Sequence, residues 1–476
     1  MSPPRPILAL DIGSTWTKGA LFLPDRGRLV VQREGATPTT TDDLCRGFWS
    51  VCEGLVPGAE ADPERLLAKV ELAYTSSAKG GLSIAASGIV PDLTAQAAKE
   101  AALSAGAKVT RVFSYRLTSG DLADLARDAP DILLVCGGTD GGNESIVRHN
   151  VAVIASSQYQ GVVLFAGNRT IAEEVRRTLL EGGKECVVAD NVLPNLERPR
   201  PESAHEAIKE IFLSRIITGK GLSRLVDQTG QTPLPTPLAM LSYVETLHRC
   251  VPELGSFCLV DLGGATTDYY SASPAGILTP GAMLRGLPEP PVKRTVDGDL
   301  GMRVSAASLV EAVRHAVPCM LGATGGTLDE LQRYVAFLAN HPEHLPVDER
   351  ESELDALLAL CAVRLSAWRH AGRMETVLTP SGPVFLQKGK DLRVVTTLIG
   401  TGGYLSHAGD RFFALDLAPP ALDEFGRDVL AAPPQRIFVD GNYRFPLLAA
   451  ASRIAPDAAA VTGVESLTLM NGLPAT

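Results

Sequence analysis

The chain has 476 residues, enough for two or three domains at roughly 100–200 residues each. Hydrophobic residues make up 45% and charged residues 21%, a globular balance with ample core material. A net charge of -10 with no basic run argues against nucleic acid or an anionic membrane as partner, and no apolar stretch reaches the ~20 residues of a membrane span.

The first residues, MSPPRPILALDIGS, run straight into a strand and do not read as a signal peptide. Cys45, Cys52, Cys136, Cys186, Cys250, Cys258, Cys319 and Cys361 are scattered, with no C-x-x-C pair. Reduced thiols in a cytoplasmic protein are the expectation.

Ile7 to Leu10 form an apolar strand that ends at Asp11. Gly13, Ser14 and Thr15 make a turn, and Thr17 and Lys18 lead into a return strand, Ala20 to Leu23. Arg28 to Gln32 is a third strand, closed by a turn at Gly35 to Pro38. Thr41 to Asp43 can cap a helix through Phe48 and Trp49. Lys69 to Tyr74 and Ser83 to Ile89 read as strands, with the polar run from Thr75 to Gly81 between them. Thr94 is placed to cap an alanine-rich helix that ends near Gly106.

A βαβα pattern follows, the mark of a mostly parallel sheet. Asp131 to Cys136 is an apolar strand that runs into Gly137, Gly138, Thr139, Asp140, Gly141 and Gly142. Four glycines in those six positions, at a strand's C-terminal end, suit either close approach of a ligand or a glycine-rich connection. Gly137 and Gly138 are therefore candidate cofactor contacts. Val162 to Phe165 and Cys186 to Ala189 continue the strand series. Residues 194–201 read as a linker, and Ala204 to Ile217 as an amphipathic helix. Leu234 to Pro237 opens a helix through His248, with proline well placed at its start.

Phe257 to Ser271, FCLVDLGGATTDYYS, repeats the opening pattern. Phe257 to Val260 form a buried strand, and Asp261 ends it. Gly263 and Gly264 let the backbone turn tightly and bring N–H groups close to an anion. Thr266 and Thr267 add hydroxyls, Asp268 adds a second carboxylate, and Tyr269 and Tyr270 resume a β-prone run. A carboxylate at a strand end beside a phosphate-sized turn suits a hydrated Mg²⁺ between protein and phosphate. Residues 288–303 read as a long polar loop, either plain surface or a ligand clamp. Helices are expected over Ser305–Ala316, Leu328–Ala339 and Glu353–Arg369. Val394 to Ile399 is a strand running into a loop of Gly400, Thr401, Gly402 and Gly403. Ile437 to Asp440 is a further segment, followed by a helix from Phe445 to Ile454.

Two hairpins of the form strand, Asp, Gly, hydroxyl pair, strand, roughly 250 residues apart, suggest related half-domains on either side of a nucleotide. DIGSTWTK and DLGGATTD resemble the first and second phosphate motifs of the actin, sugar kinase and heat-shock ATPase superfamily. The helix from Leu234 resembles its first connecting helix, the loop 400–403 its adenosine motif, and the segment from Ile437 its second connecting helix. The resemblance implies an α/β fold of two actin-like, ribonuclease H-like half-domains flanking a nucleotide cleft. Residues 1–250 would form one half with an inserted α/β segment, and residues 251–476 the other.

Asp11 and Asp261 would then hold Mg²⁺ across a triphosphate, neutralising charge during phosphoryl transfer. Amides around Gly13 and from Gly263 to Ala265 would hold phosphate oxygens, with Ser14, Thr15, Thr17 and Thr266 to Asp268 close by. Lys18 either reaches a phosphate or turns to solvent or a salt bridge. Closure that depends on the γ-phosphate would make a nucleotide-gated hinge. No acceptor-activating base can be placed, as a sugar kinase requires. No closely spaced cysteines lie near a glycine loop, as an Fe–S activase requires.

A narrower likeness covers residue 9 to about 451. SSAKGGLSIAASGIVPDLTAQAAKEAALSAGAKV, LLVCGGTDGGNES, VLFAGN, LPTPLAML, KRTVDGDLGMR, LIGTGGYLSH and DGNYRFPLLAA, with the two hairpins, resemble the GlmL or MutL type of accessory protein. That type is found with adenosylcobalamin-dependent mutases such as glutamate mutase and ornithine aminomutase. It is unrelated to the mismatch repair protein of similar name. The resemblance implies a chaperone that uses ATP to release damaged cobalamin from a mutase. No Asp-x-His-x-x-Gly signature appears, so direct cobalamin binding is not expected. A small-molecule kinase and a nucleotide-regulated scaffold without turnover remain the alternatives, and the oligomeric state is left open.

Overall fold

The computed structural model describes residues 4–13, 16–40, 42–59, 61–77, 82–217, 221–274, 276, 279–314, 327–380 and 382–470. Ser14, Thr15, Thr41, Cys319 and the Lys79 to Gly81 stretch lie outside them. The chain forms two compact units, Met1–Tyr243 with Pro446–Ala459, and Val244–Phe445 with Ala460–Thr476.

In the first unit, β1 (Ile7–Ile12), β2 (Trp16–Asp25) and β3 (Arg28–Pro38) form an antiparallel meander. β4 (Glu71–Ser76) lies parallel to β1 on its other side, and β10 (Leu234–Pro235) parallel to β4. The sheet order is β10-β4-β1-β2-β3. β1 is buried along its whole length, as an apolar run in a central strand must be. The turn expected at Gly35 is absent, because β3 continues to Pro38. Gly35 pairs with Gly19, so two residues without side chains face each other and the ladder continues. The helix Leu44–Leu55 starts as expected, with Asp43 accepting from the Cys45 N–H.

Between β4 and β10 lies a second sheet, all parallel. It contains β5 (Ser83–Gly88), β6 (Lys108–Ser114), β7 (Ile132–Val135), β8 (Val162–Phe165) and β9 (Cys186–Val188), in the order β6-β5-β7-β8-β9. Thr94 does not cap the following helix. A turn over Pro91–Ala95 runs directly into the helix Gln96–Ser104. Proline at the first position starts the coil, and the Thr94 hydroxyl reaches back to accept from the N–H groups of Ile89 and Val90.

The second unit repeats the first sheet's plan. β11 (Phe257–Leu262), β12 (Thr267–Ala272) and β14 (Val292–Asp297) form an antiparallel meander, and β13 (Ala282–Leu284) leaves it for another sheet. After β15 (Arg373–Thr379) and β16 (Gly382–Lys388), β17 (Thr397–Thr401) lies parallel to β11. β18 (Asp428–Val429) pairs with β15, β19 (Arg436–Val439) lies parallel to β17, and β20 (Thr468–Leu469) closes the edge. Each unit thus has a three-strand meander with two parallel strands beside its first strand. That is the ribonuclease H-like arrangement of actin-type ATPases, present twice. The core of the second unit joins Val260 and Leu262 to Leu309, Leu338, Leu358 and Phe413, all nearly inaccessible. Each such side chain contributes about 1.5–3 kcal/mol by burial.

Two expectations change here. Residues 288–303 are not one long loop, since β14 occupies their centre. Its charged residues fit a buried strand because each has a partner: Lys293 pairs with Glu289 and Arg294 with Asp268. Gly400 and Thr401 belong to β17 rather than to a loop, with Gly400 opposite Val260 and Thr401 opposite Asp261. The helix Pro456–Glu465 and β20 follow the helix Phe445–Ala451.

Candidate functional site

Both phosphate-motif hairpins close in the same way. In the first, Ile12 pairs with Thr17, and the Gly13 N–H donates to Trp16 O at 3.0 Å. In the second, Leu262 pairs with Thr267, and the Gly263 N–H donates to Thr266 O at 2.9 Å. A Cβ on Gly13 would lie 2.7 Å from Trp16 O, and one on Gly263 2.9 Å from Thr266 O. Both distances are too short for a real side chain, so glycine is needed at the same place in both turns.

The hydroxyls that follow brace the turns. Thr17 Oγ1 meets Thr39 Oγ1 at 3.0 Å, and Thr39 donates to Gly13 O at 2.9 Å. Thr267 is fully buried and donates to Leu300 O at 2.5 Å. In the second hairpin the segment 302–305 engages the carbonyls of Gly263, Gly264 and Ala265. Met302 N–H donates to Gly263 O at 3.1 Å, and Arg303 N–H and Val304 N–H donate to Gly264 O at 2.8 and 2.9 Å. Ser305 Oγ donates to Ala265 O at 2.7 Å. Among the described residues nothing accepts from the N–H groups of Gly264, Ala265 and Thr266. A run of amides with its carbonyls held elsewhere is suited to an anion.

Asp11 is 5% exposed. It stands in register with Lys18 on β2 and Thr75 on β4. Its Oδ1 accepts from Thr75 Oγ1 at 2.8 Å and from Thr236 Oγ1 at 2.7 Å. Burial pushes its carboxyl above the usual range, while the two hydroxyls and the charge of Lys18 pull it back. Thr75 and Thr236 bind Asp11 without belonging to either phosphate motif. The available signal was a hydroxyl at the C-terminal end of each strand parallel to β1.

Asp261 is partly exposed, in register with Asp268 on β12 and Thr401 on β17. Asp268 is committed to the buried Arg294, whose Nε and Nη2 lie 2.8 and 2.6 Å from its Oδ1. Thr401 donates to Asp440 Oδ2 at 2.9 Å, and Asp440 in turn accepts from the Arg444 and Phe445 N–H groups at the start of the helix Phe445–Ala451. Gly402 has φ +101°, and a Cβ there would fall 2.4 Å from Leu262 O, so the glycine loop lies directly against the second hairpin's strand. Gly403 has open space around it.

Gly137 and Gly138 belong to the inserted parallel sheet, at the end of β7. A Cβ on Gly137 would meet Ile89 at 2.9 Å, and one on Gly138, at φ +70°, would meet Asn143 O at 2.6 Å. Asn168 Oδ1 accepts from Gly141 N–H at 3.0 Å, and Asn191 Nδ2 donates to Gly138 O at 3.1 Å. Packing therefore accounts for these two glycines, and asparagines hold the loop.

Asp297, at the end of β14 opposite Thr267, is 8% exposed. Its Oδ1 accepts from Arg369 at 2.9 Å, and its Oδ2 is buried without a hydrogen-bond partner. Burial pushes its carboxyl up to about 6; Arg369 opposes the shift, and Asp299 and Asp268 add to it. The folded chain therefore keeps this proton in the window from the ordinary 3.8 to about 6, where the unfolded chain has lost it. Stability from this group falls as pH rises through that window. In urea unfolding, Asp297→Asn is expected to gain on the wild type steadily from pH 4 to 6 and to hold a constant lead above. A lead that does not change with pH would remove Asp297 as the cause.

Among the described residues no helix is long and apolar enough to cross a membrane, and no group of three or more His, Cys, Asp or Glu side chains gathers as a metal centre.

The sequence pattern of the family described as "MutL protein" matches residues 7–467. Protein MutL of Clostridium tetanomorphum is 37% identical over 416 residues, covering 84% of this chain and 86% of that protein. Among solved structures, a nucleotide-free acetone carboxylase aligns at 13% identity and a TM-score of 0.43, over 94% of this chain and 70% of its own. A ligand-bound xylulose kinase from Lactobacillus acidophilus aligns at 9% identity and a TM-score of 0.30, over 99% and 94%. The fold assignment stands on the two matching sheets and needs neither. With a pattern match running from β1 past the helix Pro456–Glu465, this chain belongs to the MutL protein family.

Proposed function

We propose that this chain binds ATP with Mg²⁺, hydrolyses it, and uses the cycle to reactivate an adenosylcobalamin-dependent mutase of the glutamate mutase or aminomutase type by promoting release of damaged cobalamin. The observation that carries the nucleotide reading is the repeated hairpin, with the same turn, the same glycine requirement and a carboxylate at the end of each first strand. The mutase partner rests on family likeness.

The donor chemistry fits a magnesium nucleotide. Mg²⁺ favours carboxylate and phosphate oxygens and keeps several waters. Asp11 and Asp261 would supply the protein oxygens, and the bound ion would neutralise phosphate charge. Thr75 and Thr236 fix the Asp11 carboxylate through one oxygen. The free amides of Gly264 to Thr266 would hold phosphate oxygens, and Gly402 and Gly403, just past the end of β17, would lie near the adenosine. A γ-phosphate that favours one arrangement of the protein over another would be felt by a partner that binds those arrangements unequally.

The test is recovery of an inactivated mutase by this protein with ATP and fresh coenzyme. The reading expects recovery with ATP and none with a non-hydrolysable analogue. Stoichiometric appearance of a phosphorylated small molecule would favour a kinase instead. Tight ATP binding without turnover would favour a scaffold.

A further inference from the structure

The segment 298–305 does more than follow β14. Its backbone engages every carbonyl from Gly263 to Gly264, and Ser305 takes that of Ala265. The fit is close: a Cβ on Gly301 would fall 2.4 Å from the Ala265 carbonyl carbon and 2.5 Å from Gly264 O. The peptide planes of the turn, and so the direction of its free N–H groups, are set by where this segment sits.

One side-chain hold on this segment is the guanidinium of Arg303. Arg303 forms a fork with Asp355, Nη1 to Oδ1 at 3.1 Å and Nη2 to Oδ2 at 2.7 Å. Its Nε donates to His344 O at 3.2 Å and its Nη1 also to Met302 O at 3.0 Å. Asp355 is fully buried in the long helix Glu349–His370 and accepts a further hydrogen bond from Tyr334 OH at 3.0 Å. The other end of that helix is tied to the same stretch of chain, because Arg369 bonds Asp297 at 2.9 Å and Asp299 at 2.7 Å. The helix is thus fastened, at both ends, to the segment that shapes the turn.

We propose that Arg303 is a positioning residue for phosphate binding: through its fork to Asp355 it fixes residues 302–304 on the 263–266 turn, aims the free amides at the nucleotide's phosphates, and links that turn to the helix Glu349–His370. This rests on the reading that the turn binds the phosphates of ATP. Arg303 itself touches no phosphate, since its guanidinium is spent on Asp355, His344 and Met302. A planar fork is required, because a lysine ammonium cannot make two parallel bonds to one carboxylate.

The test compares ATP with adenosine, which lacks the phosphates, on the full chain. Binding of each is measured by calorimetry to the wild type, Arg303→Lys and Asp355→Asn, with circular dichroism as the check of folding. The Kd for ATP is expected to rise about tenfold in Arg303→Lys, the scale of one lost charge-assisted contact, while the Kd for adenosine stays within about twofold. Asp355→Asn, which keeps the side chain's shape, is expected to show the same split. Equal weakening of ATP and adenosine would mean a general structural role and overturn the proposal, as would ATP binding at the wild-type level. Loss of fold in both variants would overturn it in the same sense. A wild-type chain that binds neither ligand would instead overturn the nucleotide reading, and this inference with it.

Discussion

Asp261→Asn is expected to lower ATP turnover on the order of a hundredfold or more, while the unfolding midpoint stays near the wild type. The amide keeps the size and one acceptor but removes the charge that would face magnesium. Asp261 is partly exposed at a strand end, so little packing is at stake. Recovery of a mutase should disappear with turnover. Asp11→Asn should cost similar activity for the same reason, yet it should not destabilise the chain. The charge it removes is buried, and Thr75 and Thr236 can still donate to the amide oxygen. A Michaelis–Menten comparison of the three proteins, with thermal unfolding beside it, checks both statements. Full-rate turnover in Asp261→Asn would remove that carboxylate from the mechanism.

The largest stability effect is expected at Arg294. Its side chain is 1% exposed and its partner Asp268 12% exposed, and the two are joined through Nε and Nη2. Arg294→Met leaves the carboxylate buried without its counter-charge. Breaking a buried pair in this way costs about 3–5 kcal/mol. For a unit of this size that lowers the unfolding midpoint by roughly 10 °C. Replacing both partners, Arg294→Met with Asp268→Leu, should restore much of the loss, because no charge is then stranded. The measurement is thermal unfolding of the single and double variants. A single variant that melts with the wild type would show that the pair contributes nothing to stability.

What the sequence made legible follows from how local the signals are. Ile7 to Asp11 and Phe257 to Asp261 are apolar runs closed by an acid and a glycine, and every part of that pattern lies within a few residues. The parallel strands of the inserted sheet were readable for the same reason. Thr236 reaches Asp11 from 225 positions away, and only the folded sheet brings the hydroxyl to the carboxylate. β14 was hidden because Lys293 and Arg294 look like surface residues until Glu289 and Asp268 are seen beside them. The prolines before it and Gly298 after it also signal loop. Thr17 and Thr267 had the residue type of ligand contacts, and their hydroxyls turn inward to hold the turns. The bracing of the second turn by residues 302–305 had no sequence signal, since backbone donors carry none.

The proposed function requires that Asp11 and Asp261 both act in binding one magnesium nucleotide. Calorimetric titration of ATP with Mg²⁺ into the wild type, Asp11→Asn, Asp261→Asn and the double variant tests it most directly. One ATP per chain is expected, with a double variant scarcely weaker than either single one, as for two carboxylates that act on one ion. Two ATP molecules per chain, or losses that add in full, would contradict it.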